Sequence, residues 1–100
     1  MADTDEITIG EIQIAGSALE RMVRESIGRV SGVSQIKSIT ITPKNDALTF
    51  DINLVVHHNT VYPEVAEVAQ KAVSNDVNCM TGAKVEEVNI MIERLDFSGE

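Results

Sequence analysis

The chain has few of the residues that serve as thiol nucleophiles, metal-binding imidazoles or stacking platforms, and it has no long apolar run. Among its 100 residues are one cysteine, three aromatics and two histidines, and 16 acids stand against 8 bases. No apolar run approaches the roughly 20 residues that cross a bilayer. The N-terminal MADTDEITIG is acidic, where a signal peptide is basic and then apolar, so the chain is expected to stay in the cytoplasm. Cys79, alone, cannot close an intramolecular disulfide, which agrees with a reducing compartment. With no base or cation next to it to lower its pKa, it is expected to be a buried or half-buried structural thiol.

The formal net charge of −8 sets the chain against nucleic acid, whose binding is powered by Lys and Arg neutralising phosphates. It also disfavours direct contact with an anionic membrane surface. Single-strand readers further need stacking aromatics, and only Phe50, Tyr62 and Phe97 are present. His57 and His58 are adjacent, so in a strand their rings point to opposite faces and cannot readily share a metal. With Cys79 they make three ligand-type residues in all, short of a structural metal site with suitable spacing. Gly10, Gly16, Gly28 and Gly32 match neither a dinucleotide fingerprint nor a phosphate loop. The carboxylates are scattered, with no pair placed to split its pKa values for acid–base work. No catalytic, cofactor or metal residue is assigned.

What is present is a regular alternation of apolar patterns. Residues 1–6 are polar and acidic; a flexible tail is placed at 1–8 and a single domain at 9–97. A strand is expected near 11–14, with Gly10 as a bulge or entry turn. Ser17 and Glu20 form a capping-box pattern that opens a first helix, whose apolar face is Leu19, Met22, Val23, Ile27 and Val30, with Glu20–Arg24 and Glu25–Arg29 as i,i+4 pairs and Gly32 as its left-handed stop.

Ser38–Thr42 alternates, Pro43-Lys44-Asn45-Asp46 reads as a turn, and Leu48, Phe50, Ile52, Leu54 and Val56 then define one face of a strong strand, the two strands making a hairpin. Pro63 starts a second helix with Val65, Val68, Ala69, Ala72, Val73, Val77 and Met80 inward and Gly82 closing it. Val88, Ile90 and Ile92 mark one face of a last strand. The order is β-α-β-β-α-β: an α+β, two-layer sandwich with one mixed or antiparallel sheet and two helices on one face. A split ferredoxin-like arrangement is the first expectation. An α-β-β-α-β unit follows instead if residues 11–14 stay out of the sheet.

The series of motifs resembles the alkaline shock (Gls-type) family. Gly10-Glu11-Ile12-Gln13-Ile14 is similar to its opening element, Val30-Ser31-Gly32-Val33 to the turn after its first helix, Val61-Tyr62-Pro63 through Gln70 to Val73 to its proline-started second helix with an internal glutamine, and Met80-Thr81-Gly82 with Val85, Val88-Asn89-Ile90 and Ile92 to its closing turn and last strand. Where members often carry tyrosine-glycine ahead of the second helix, this chain has His57-His58-Asn59. The resemblance implies a cytoplasmic, non-enzymatic bacterial protein, typically Gram-positive, linked to envelope stress and homeostasis. It implies self-assembly and a membrane reached through a separate anchoring protein, with no direct insertion. It adds no catalytic residue, since the motif positions look structural.

The expected function is thus a self-associating scaffold or adaptor near the membrane, with a small-molecule-sensing regulatory module of ferredoxin-like type as the alternative. No cofactor is expected. An exposed strand edge must be blunted or used, and the strands Ile39–Thr42 and Val88–Glu93 are the candidates. On the otherwise polar sheet face, Val55 and Met91 are the expected self or partner contacts.

Overall fold

A computed structural model describes residues 6–44 and 46–98. Its elements are β1 (Glu6–Ile9), β2 (Ile12–Ala15), α1 (Gly16–Gly28), β3 (Val33–Lys44), β4 (Ala47–His57), α2 (Tyr62–Thr81) and β5 (Lys84–Asp96). Strands β3, β4 and β5 form one sheet in that order, antiparallel between β3 and β4 and parallel between β4 and β5. The parallel pair needs a crossover, and α2 is that crossover. It packs over β5 and against α1, while α1 packs on β3.

β4 is central, and its alternation decides the core. Leu48, Phe50, Ile52, Leu54 and Val56 are all 0% exposed, and they meet Leu19, Val23 and Ile27 of α1 and Val65, Ala69, Val73 and Val77 of α2 in one apolar cluster. The two-layer α+β architecture with both helices over one sheet face is as the periodicity requires. Strand β2 does not join that sheet. It pairs with β1 across a two-residue turn, Ile9 facing Ile12. Gly10 has φ +60, at the position where a type II′ turn takes glycine. The hairpin lays Ile7, Ile9, Ile12 and Ile14 against the core, so the main sheet is three-stranded and the α-β-β-α-β unit is the one formed. Residues 6–8 of the expected tail belong to β1, and residues 1–5 lie outside the described residues.

Several boundaries differ from expectation for local reasons. Helix α1 begins at Gly16 with Ala15 as its N-cap and no side-chain cap bond, so the Ser17–Glu20 box does not open it. It ends at Gly28, with Arg29 as C-cap; Gly32 has φ +100 but works in the following turn, where its carbonyl accepts the His57 amide at 2.9 Å. Glu20–Arg24 forms at 3.0 Å, whereas Arg29 turns to Asp76 on α2 at 3.1 Å and Glu25 faces Arg21. Asp76 also accepts the buried Ser26 hydroxyl at 2.5 Å, so one carboxylate ties the two helices. β3 extends through Pro43 and Lys44, which pair with Leu48 and Ala47. The four-residue turn is thereby shortened; Asn45, within it, lies outside the described residues.

Candidate interaction surface

The face of the sheet away from the helices is a polar ladder. Thr40, Asp51 and Asn89 lie side by side in register, as do Ser38, Asn53 and Met91. Asn89 Nδ2 donates to Asp51 Oδ1 at 3.0 Å, and Asn53 Nδ2 donates to Glu93 Oε2 at 3.1 Å. The two expected contact residues part company here. Met91 is 59% exposed, but Val55 is 1% exposed and offers no surface. It sits on the central strand between Gln35 and Arg94, whose long stems can lie over it. The expectation of a contact at Val55 is corrected accordingly.

The structure separates the ligand-type residues. His57 ends β4 and His58 follows it, where its ring stacks on Phe97 at 4.8 Å and its carbonyl accepts Tyr62 Oη at 3.1 Å. Cys79 is exposed near the far end of α2, about 25 Å along the helix from Tyr62 at 1.5 Å per residue. The expectation of a buried or half-buried thiol is corrected, because the core stripe Val65–Ala69–Val73–Val77 turns Cys79 outward. Met80 and Val68, also read as inward, are 63% and 52% exposed. Among the described residues, no three of His, Cys, Asp and Glu group as a metal site.

Asp96 closes the same end of the sheet. Its carboxylate accepts the Ser34 hydroxyl, the Ser98 hydroxyl at 2.6 Å and the Ser98 amide at 2.8 Å. These bonds, the Ser34 one first, favour the charged form and hold the carboxyl far below the ordinary aspartate range. A depressed folded pKa means that the contribution to stability is complete above the unfolded value of 3.8 and is lost as pH falls through the folded one. Denaturation midpoints of the wild type and Asp96→Asn should therefore differ by a constant amount from about pH 7 down to about 5 and converge only in strong acid, below about pH 4. A gap already closing near pH 6 would contradict that assignment.

The motif residues do structural work at the crossover. Gly82 is left-handed, φ +75, with its amide on the Asn78 carbonyl at 2.8 Å. Thr81 Oγ1 donates to the Val77 carbonyl and accepts the Ala83 amide, and Asn78 Nδ2 donates to the Ala83 carbonyl. Gln70, midway along α2, donates from Nε2 to the Val88 carbonyl of β5 at 2.9 Å. Beside it an open groove of about 360 Å³ runs between α2 and β5, lined by Gln70, Lys71 and Ser74 on the helix and Val85–Asn89 on the strand. Sequence reading noted the glutamine but not its strand-capping role. Its place one residue past the buried Ala69, facing β5, is the signal that locates it.

A three-stranded mixed sheet under two helices in α-β-β-α-β order is the class of domain these elements define. A model of the alkaline shock protein family, described as having cell envelope-related function, matches residues 34–97, and the chain belongs to that family. No curated protein matches. Among solved structures, a MamM CTD variant is similar at a TM-score of 0.61 and 17% identity, with 81% of this chain and 99% of that chain covered. A doubly substituted MamM CTD is similar at 0.61 and 17%, with 82% and 96% covered. At such identity the likeness is one of fold. No helix among the described residues is long and apolar enough to cross a membrane.

Proposed function

We propose that this protein is a non-enzymatic, self-associating scaffold or adaptor of the cell envelope, working near the membrane and reaching it through an anchoring partner. The observation that carries the reading is the long β5 at the rim of the sheet, 13 residues from Lys84 to Asp96, in a chain of an envelope-related family. An edge of this length presents unpaired backbone donors and acceptors, and a protein must cover or use them. The other supports are the polar open face with its exposed Met91, and motif residues such as Gln70, Thr81 and Gly82 that shape the crossover.

Light scattering of the full chain across a concentration series, together with crosslinking and fluorescence localisation in cells, tests this reading. The expected result is a mass that grows with concentration and a peripheral signal that becomes diffuse when the crosslinked membrane partner is deleted. A strictly monomeric chain with a diffuse signal and no crosslinked partner would overturn it. A small molecule retained in native mass spectra of that monomer would then favour the sensing alternative.

A further inference from the structure

The sheet has two outer strands, and they differ. β3 carries Lys37, Pro43 and Lys44 and two register irregularities, between Val33 and Gln35 and between Ile36 and Ser38. Lysines, proline and bulges are devices that discourage edge pairing. β5 also has two register shifts, but it holds no proline, its one lysine is its first residue, and its register with β4 is regular across its centre from Glu87 to Ile92. α2 packs over it and leaves the groove beside it open.

The burial pattern of β5 is symmetric about Ile90. Val88 and Ile92 face the core on either side, as do Val85 and Leu95 further out. Between each inner and outer pair lie two successive exposed residues, Glu86-Glu87 on one side and Glu93-Arg94 on the other. Each of these two dipeptides spans one of the register shifts against β4, which fall between Val85 and Glu87 and between Ile92 and Arg94. A strand with this symmetry can lie antiparallel to a copy of itself with every core-facing residue opposite another.

Charge then selects the register. Centred on Ile90, Glu86 lies opposite Arg94 of the second copy and Lys84 opposite Asp96, against one like-charge combination, Glu87 with Glu93, and the two-fold symmetry makes each of the three occur twice in the pair. Shifting the centre by one residue places Lys84 opposite Arg94 or Glu86 opposite Asp96, and sets apolar residues against charged ones. Opposite charges across an antiparallel pair stabilise it, and like charges destabilise it. In the Ile90-centred register Val88 lies opposite Ile92 of the second copy, and the Val88 carbonyl, which already accepts Gln70 Nε2 at 2.9 Å, has a second lone pair for an amide across the seam.

We propose that two copies of this chain pair antiparallel through β5, centred on Ile90, to make a continuous six-stranded sheet with all four helices on one face. The proposal rests on the self-association reading above and names its interface. Exposed Met91 then lies opposite Asn89 of the second copy, next to the symmetry axis, and the two α2 grooves meet across the seam.

The test is a charge swap read by sedimentation of the full chain, with circular dichroism to confirm folding. Glu86→Arg alone and Arg94→Glu alone each place like charges at two points of the pair and should weaken dimerisation by on the order of tenfold to a hundredfold. The double variant restores both pairs and should return the affinity to within a fewfold of the wild type. The two positions lie far apart along one strand, so rescue has to act between copies. A wild type that associates while the single variants leave it unaffected, or while the double variant stays as weak as the singles, overturns the β5 interface and leaves self-association standing. A wild type that never associates removes both.

Discussion

Phe50→Ala is expected to lower the free energy of unfolding by about 3 to 5 kcal/mol, from lost transfer energy and the cavity left where the ring was. Phe50 is 0% exposed on the central strand, flanked in register by Ile41 and Val88 with helices above. The site is walled on every side by other core residues, so the surroundings can close over the gap only partly. Thr49→Ala and Asn53→Ala, on the opposite phase of the strand, change side chains on the polar face and should cost under about 1 kcal/mol. Chemical denaturation with the slope held constant reads both. Equal losses at Phe50 and Thr49 would mean that the helices do not lie over the face described here.

The outcome at β4 was legible because one signal dominated. Five apolar residues in strict alternation leave no other arrangement for a strand covered on one side, and the core of both helices follows from the same logic at a period of 3.6. The legible part of the association surface was smaller. That an edge strand near Val88–Glu93 and the residue Met91 would be exposed followed from alternation, but Val55 has the same phase and is buried. Phase tells which face a residue is on; whether that face is covered at that point depends on the neighbours in register, here Gln35 and Arg94. Register is a tertiary fact.

The hairpin shows a second kind of limit. Gly10-Glu11-Ile12-Gln13-Ile14 reads as a strand in isolation, and its partner Glu6–Ile9 is only four residues long, most of it in the stretch read as a tail. What pins the pair is the burial of Ile9 and the positive φ of Gly10; the glycine reads as a bulge or entry turn from sequence alone, but that the residues before it form the partner strand does not follow from the alternation it breaks. Exposure of Cys79 and Met80 has a similar origin. The buried stripe Val65, Ala69, Val73 and Val77 fixes which side of the 20-residue helix faces the sheet, with Cys79 off that side and Met80 past Val77, the last buried residue of the helix.

The conformation of Gly32 carries the other large effect. Gly32→Ala is expected to destabilise the fold by about 2 to 4 kcal/mol, combining backbone strain with overpacking. At φ +100 a side chain is strained in any surroundings, and here a Cβ would lie 2.8 Å from Val65 Cγ2 and 3.0 Å from Thr60 Cγ2. Val65 is in the core at the start of α2 and has nowhere to retreat, while the Gly32 carbonyl is held by the His57 amide at 2.9 Å. The turn that brings α1 into β3 is therefore clamped to the loop that leads from β4 into α2. Gly82→Ala supplies the comparison, since its φ is also positive, at +75, but a Cβ there meets nothing within 4 Å. It should cost only the left-handed penalty, about 1 to 2 kcal/mol. The difference between the two variants in thermal or denaturant unfolding isolates the contact with Val65 and Thr60. If Gly82→Ala proved the more damaging, the close approach at Gly32 would not be a feature of the folded protein in solution.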